Sequence, residues 1–235
     1  MADIATGLKH RWKLDETTGT DFVDDVGGIT LTGNGVMPSD TVEDGRHGSA
    51  IRRTSLADYA QSASANFTLN ASQFNAVNYW FRTSANAGSG NHLFSTRSSQ
   101  VPTTGSISIM HYSGGLYMFY GTAQQTLDAS FVTNHSINGT GWHLLTVCMK
   151  HDTADWRWWV DGGTAVGDVA YSGVFTTTTW VELFGSTDRP DHDAWVCDLD
   201  DVRVYKNLPA VWSNEQQAAL HAYTYPTGNP NLLIP

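Results

Sequence analysis

Apolar and polar residues alternate along most of this chain, which predicts strands rather than helices for the bulk of it. Leu8, His10, Trp12 and Leu14 alternate with Lys9, Arg11 and Lys13, the pattern of a half-buried strand with a basic outer side. Short strands are expected within Ser49 to Tyr59 and at Phe67 to Leu69. A stronger one spans Ala76 to Arg82, with Val77, Tyr79 and Phe81 opposite Asn78, Trp80 and Arg82. His92 to Thr96, Gly105 to His111 and Leu116 to Tyr120 follow as successive strands, the last two joined at Ser113, Gly114 and Gly115. Trp142 to Lys150 and Trp156 to Asp161 form the strongest hairpin, and Thr176 to Phe184 one more strand. Gly19 to Gly35 reads as loop and turn, because Asp21, Asp24, Asp25, Gly27 and Gly28 interrupt any ladder. Polar loops are expected at Ser84 to Gly90 and at Gly185 to Asp193. Ser213 with Gln216 three residues on is a capping box for a short helix to about Ala222. Pro226 and Pro230 then hold the tail out of regular structure, and it ends on Leu232, Leu233, Ile234 and Pro235.

The segment around which the rest is organised is Ala194 to Leu208. At period two, Val196, Asp198, Asp200, Val202 and Val204 share one face, and Trp195, Cys197, Leu199, Asp201, Arg203 and Tyr205 the other. Carboxylates on a face with three valines are costly if that face is buried. A register change, backbone N–H groups, a cation or a bound metal must answer them. The hairpin poses a similar problem: Trp156, Trp158 and Val160 lie on one side, Arg157 and Trp159 on the other. At least one of these indoles is expected to reach a surface or the opposite sheet.

The run L-D-D-V-R-V-Y from Leu199, followed by S-N-E-Q-Q-A-A-L from Ser213, resembles the closing strand and short helix of laminin G-like, concanavalin A-like jelly-roll domains. The resemblance continues in order through R-W-K-L-D-E-T-T-G-T from Arg11, G-W-H-L-L-T-V from Gly141 and W-W-V-D-G from Trp158. It implies an all-β fold: a two-sheet antiparallel β-sandwich over residues 1–222, with a short C-terminal helix and an extended tail at 223–235. It also implies that the first strand lies beside the last. Many such domains join the first loop to the closing strand through a calcium ion, which carries over here to Asp24 or Asp25 and to Asp200. The alternative is that Asp24 and Asp25 cap turns while Asp200 accepts hydrogen bonds from loop amides. The fold carries lectins, glycanases and structural modules alike, so the site must decide the function.

Composition narrows the classes. Thirteen basic against 23 acidic side chains give a formal charge of −10, which argues against nucleic acid as a partner. Only Glu16, Glu43, Glu182 and Glu215 are glutamates; the other acids are aspartates, which suit turns and oxygen-ligand loops. Cys148 and Cys197 sit in strand-like runs and read as buried free thiols. Met1 to His10 lacks the basic start and apolar core of a secretory signal, and no run is long enough for membrane insertion.

Retaining and inverting glycosidases need two carboxylates facing one another, and the related glucanases place them in an E-x-D-x-E pattern that this chain lacks. No G-x-S-x-G nucleophile motif occurs either. His192, between Asp191 and Asp193, has no second histidine at zinc-ligand spacing. Sugar binding needs an aromatic platform with a polar rim. The candidates are Trp159, Trp180, Trp195, Tyr112 and Tyr117, rimmed by Asp188, Arg189, Asp191 and His192. The reading is a noncatalytic, lectin-like protein that binds a glycan on a host cell surface. Its expected setting is a virion surface, as a capsid decoration or fibre protein of a bacteriophage, cytoplasmic until particle release. Leu232, Leu233 and Ile234 would anchor it to a capsid or fibre protein, and self-association into a homo-oligomer stays open. The alternatives are a stand-alone carbohydrate-binding module and a glycan hydrolase.

Overall fold

Strands send successive side chains to opposite faces, so short alternating segments bury their apolar positions only when one sheet stacks on another. The computed structural model describes residues 5–53, 58–70, 72–83, 91–97, 107–112, 114–120, 123–137, 139, 141–150, 152–153, 155–164, 179–185 and 197–222. Among them the strands form two antiparallel sheets. One holds seven strands: β1 (Leu8–Trp12), β4 (Thr41–Gly45), β5 (Gly48–Arg53), β7 (Phe74–Thr83), β12 (His143–Lys150), β13 (Asp155–Val160) and β15 (Cys197–Leu208). The other holds eight: β2 (Asp21–Phe22), β3 (Leu31–Asn34), β6 (Tyr59–Ser62), β8 (Asn91–Arg97), β9 (Ile107–Tyr112), β10 (Gly115–Tyr120), β11 (Ala123–Asp128) and β14 (Trp180–Leu183). Their orders are β13-β12-β7-β15-β5-β4, with β1 also on β15, and β11-β10-β9-β8-β14-β6-β3-β2. A 3-10 turn at Pro38–Asp40, a single turn of helix, α1 (Phe131–Asn134), and a longer helix, α2 (Asn214–Ala222), complete the described elements. Both inner faces meet in one core, where Trp12, Phe81, Phe94, Trp156 and Trp158 are at most 1% exposed.

β15 is where the two ends of the chain meet. Along one edge it pairs with β7; along the other it pairs first with β5, at Cys197–Leu199, and then with β1, where Trp12 lies opposite Val202. The first strand therefore does lie beside the last. At the change of partner β15 gains one residue against β7: Asp200 pairs with Trp80 but Arg203 with Asn78, and Asp201 sits at φ 50°. That bulge inverts the alternation. Cys197, Leu199, Val202 and Val204 all face the core, while Asp198, Asp200, Arg203 and Tyr205 face outward. The uninterrupted parity expected for this strand is thus corrected, and the register change is one of the answers its carboxylates required. A second bulge, at Asn207 with φ 57°, precedes Leu208.

Two further expectations are corrected. The stretch from Gly19 to Gly35 contains β2 and β3, which pair Asp21 with Thr32 and Phe22 with Leu31, so its aspartates do not abolish the ladder. Arg11 is not part of a solvated basic side: it is 6% exposed and donates to Asp201. Both cysteines are buried and neither is in a disulfide, Cys197 in the inner core and Cys148 on the other side of the same sheet.

That other side carries a second apolar cluster. Ala76, Trp80, Leu144, Cys148, Trp159, Tyr205 and Leu208 are covered by Trp212 and by Leu220 of α2. The predicted capping box starts the helix: Ser213 N donates to Gln216 Oε1 at 2.9 Å, and Gln216 N to Ser213 Oγ at 3.2 Å.

Candidate functional site

The acids nominated for calcium each accept from donors of the same chain. Asp24 Oδ1 accepts from the backbone N–H groups of Arg11, Val26 and Gly27, and Oδ2 from Ile29 N at 3.0 Å and His10 Nδ1 at 2.7 Å. Burial alone would raise its pKa, but these donors hold it at about 2. Asp25 takes Lys13 Nζ at 2.7 Å. Asp200 accepts from His47 N at 2.7 Å, and burial, with the neighbouring Asp201 charge, pushes its carboxyl well above the ordinary range. Among the described residues no group of three or more His, Cys, Asp or Glu side chains is placed to hold a metal ion. Asp200 Oδ1 is buried with no hydrogen-bond partner among the described residues. The donors already in place on Asp24, Asp25 and Asp200 fasten loops to the β1–β15 seam.

Asp201 and Asp198 answer their neighbours in the same way. Asp201 is 1% exposed and ion-paired to Arg11 Nε at 2.8 Å and to Arg203 Nη2; burial would raise its pKa, and the two guanidiniums lower it. Asp198 takes Arg52 Nε at 2.7 Å and Arg82 Nη2 at 2.7 Å, and Arg82 also forks onto Asp44.

Trp159 cannot serve as a sugar platform. By alternation it does leave the inner core, but it is 1% exposed beneath α2, with Nε1 donating to Asn214 Oδ1 at 2.8 Å. Beneath α2 and Trp212 the outer face of this sheet is a buried layer. Trp195, Asp188, Arg189, Asp191, His192 and the tail at Leu232, Leu233 and Ile234 lie outside the described residues, as does the side chain of Tyr112.

Trp180 and Tyr117 fall on the outer face of the eight-stranded sheet. Val181 and Leu183 are in the core, so Trp180 and Glu182 point outward; Leu116 and Met118 are in the core, so Tyr117 does too. The strand pairing then lines up a polar row across this face. Thr32 pairs with Gln61, Gln61 with Glu182, Glu182 with Ser95, and Ser95 with Ser108. Exposure falls along it, from Thr32 in solvent, through the partly buried Gln61, to Glu182 at 0% and Ser95 at 3%. Because β6 and β14 run antiparallel, Tyr59 and Trp180, each two residues from the row, lie on opposite sides of it, at about 7 Å along the strand. Both rings are partly exposed, and Asn34 Nδ2 donates to the Tyr59 hydroxyl at 2.6 Å.

At its open end this arrangement offers ring faces for the apolar side of a sugar, with the Thr32 hydroxyl and the Gln61 amide beside them for its hydroxyls, while Glu182 lies beneath the surface. Among the described residues of β6, β8, β9, β10 and β14, Glu182 is the only carboxylate, and it is buried; Asp21 of β2 continues the row on its exposed side and accepts from the Thr32 hydroxyl at 2.9 Å. Tyr59, Gln61, Thr32 and Asn34 were not singled out from sequence. The alternation in Y-A-Q-S, residues 59–62, was the available signal, but nothing local says which strand lies beside it.

A family model described as the concanavalin A-like lectin/glucanases superfamily matches residues 54–209. By sequence, no curated protein matches the chain. Among solved structures, the receptor-binding domain of botulinum neurotoxin D superposes with a TM-score of 0.64 at 13% identity, covering 93% of this chain and 53% of that one. The serotype D ligand-binding domain in complex with N-acetylneuraminic acid gives 0.62 at 14% identity, covering 92% and 50%. The neurotoxin DC binding domain in complex with rat synaptotagmin II gives 0.63 at 12%, covering 92% and 51%. The chain spans about half the length of these structures, and at such identities the likeness is one of fold.

Proposed function

The chain belongs to the concanavalin A-like lectin/glucanases superfamily, and from that premise we propose that it is a noncatalytic glycan-binding module whose ligand lies across the outer face of the eight-stranded sheet. The observation that carries this reading is the solvent-facing pair Thr32–Gln61 with the partly exposed Tyr59 and Trp180 on either side of its row. Solved relatives of the fold include complexes with a sialic acid and with a protein receptor, which is consistent with a recognition role. The setting suggested by the sequence is a virion surface, with the apolar tail docked on a capsid or fibre protein and the sandwich turned towards glycans of a host cell.

Glycan-array binding by the purified chain and by Trp180→Ala and Gln61→Ala tests the site. Binding that falls about tenfold in both variants, with unchanged melting, supports it; equal binding by all three sinks it. Binding that survives deletion of residues 226–235, with loss of particle incorporation, supports the anchoring role of the tail. Incorporation that is unchanged refutes it. Turnover of a polysaccharide would overturn the noncatalytic reading.

A further inference from the structure

Helix α2 and the turn between β4 and β5 meet each other over one indole of the sheet. Trp80, on the outer face of β7, has the Arg46 guanidinium 4.6 Å from its ring centroid. The His221 imidazole stacks on it at 5.3 Å and 29°, and His47 meets it edge-on at 5.7 Å. Arg46 Nη2 also donates to the His221 carbonyl at 3.4 Å, tying turn to helix directly. Arginine is a permanent cation, whereas the two imidazoles carry charge only when protonated.

We propose that Arg46, His47 and His221 form an acid-released clasp on Trp80, so that protonating the two histidines frees α2 and the 45–48 turn from the seven-stranded sheet. Three charges around one buried ring would repel one another, and the nearby carboxylates are poorly placed to offset them. Asp161 lies 3.8 Å from His221 Nε2, but it already accepts from His143 Nδ1 at 2.8 Å and from Leu144 N. Asp201 lies 3.9 Å from His47 Nε2 and is held by Arg11 and Arg203. Asp200 accepts from His47 N, with the Asp15 carboxylate acting on it from nearby.

Burial lowers the His47 pKa to about 4; Arg203, Arg46 and Arg11 add to this against the pull of Asp201. Burial lowers His221 as well, with Arg46 and His143 adding to it against Asp161. The underside of α2 holds the sheet through Leu220 and through Asn214, which accepts from Trp159 Nε1, whereas neither side-chain amide atom of the buried Gln217 has a hydrogen-bond partner among the described residues.

The sign follows from linkage. A released imidazole titrates near 6.5, so the clasp holds fully above that pH and weakens as pH falls towards the held values. For His47 alone, the released state gains about 30-fold at pH 5. Hydrogen exchange at pH 7.5 and 5.0, corrected for intrinsic rates, tests this on the full chain. Amides of 214–222 should lose protection by about 30-fold or more at pH 5 relative to those of β7. An unchanged ratio overturns the proposal whether or not any variant folds. In His47→Gln/His221→Phe, which keeps a ring on Trp80 but no titrating proton, protection at pH 5 should match that at 7.5. Loss equal to that of the wild type would refute the assignment to these two residues.

Discussion

On the outer face of the seven-stranded sheet, Trp159, Tyr205 and Trp212 lie under or beside α2 at no more than 3% exposure, whereas across the sandwich Tyr59, Gln61 and Trp180 keep part of their surface in water. Both faces mix aromatic and polar side chains, so composition does not separate them. What separates them is what the polar groups hold. On the covered face Asp198, Asp200 and Asp201 bind arginines and a loop amide of the same chain, and these contacts fasten β1, β5 and the turn before β5 to β15. Across the sandwich the row from Thr32 to Ser108 follows the strand pairing itself, and Thr32 and Gln61 retain solvent-facing surface. Mutations on the first face should cost stability and leave recognition alone; mutations on the second should do the reverse.

The sharpest way to break that contrast is Asp201→Ala. It leaves Arg11 and Arg203 buried with no carboxylate between them, and removing one partner of a buried ion pair costs about 3–5 kcal/mol. Urea melts at pH 7 read this directly, and a loss under about 1 kcal/mol would show that the seam does not depend on the ion pair. Leu220→Ala comes next, expected to cost about 2–3 kcal/mol by opening a cavity beneath α2. Glycan binding in that variant should be unchanged; a parallel loss of both would mean that the two faces are not independent.

The Asp201 seam also shows how far the residues could be read without coordinates. The pairing of first and last strands was legible, because R-W-K-L-D and L-D-D-V-R-V-Y carry both alternation and a family pattern, and Trp12 does meet Val202. The conflict of Asp198 and Asp200 with valines on a shared parity was legible as a conflict. Its resolution was not: a one-residue bulge depends on β5 ending and β1 beginning along the same edge, which is a long-range fact. Trp159 failed as a platform for a related reason. Alternation placed it off the core correctly, but nothing in W-R-W-W-V says that a helix more than fifty residues later will cover it. β2, β3, β4 and β11 were missed because they are two to six residues long and rich in Asp, Gly, Thr and Gln, so their order comes from neighbours rather than from propensity.

Asp200→Asn is a smaller and pH-dependent test, since it removes a charge but no packing atom. The folded-state pKa of Asp200 is raised above that of the unfolded chain, by burial and then by Asp201. Its contribution is therefore fully present below the unfolded value, near 3.9, and is lost as pH rises towards the folded one. The variant should gain on the wild type as pH rises from 5 to 8 in paired urea melts. A gap that stays constant would mean that Asp200 has the same charge in the folded and unfolded chain across that range.

The least effect should come from Arg52→Ala, at the exposed end of the covered face, and it marks where the contrast fades. Arg52 puts two donors on Asp198, at 2.7 and 2.9 Å, but its side chain is 43% exposed, and that solvent screens the pair. Asp198 is not orphaned by the change, because Arg82 Nε still donates to it at 2.9 Å while Arg82 itself is pinned by Asp44 and stacked on Trp142. The cost should be about 0.2–1 kcal/mol, and it should shrink further between 0.05 and about 1 M salt as the Debye length contracts. If Arg52→Ala instead costs as much as Asp201→Ala, the ion pairs of this face act as one network along β15. The division between a buried seam and a screened rim would then have to be given up.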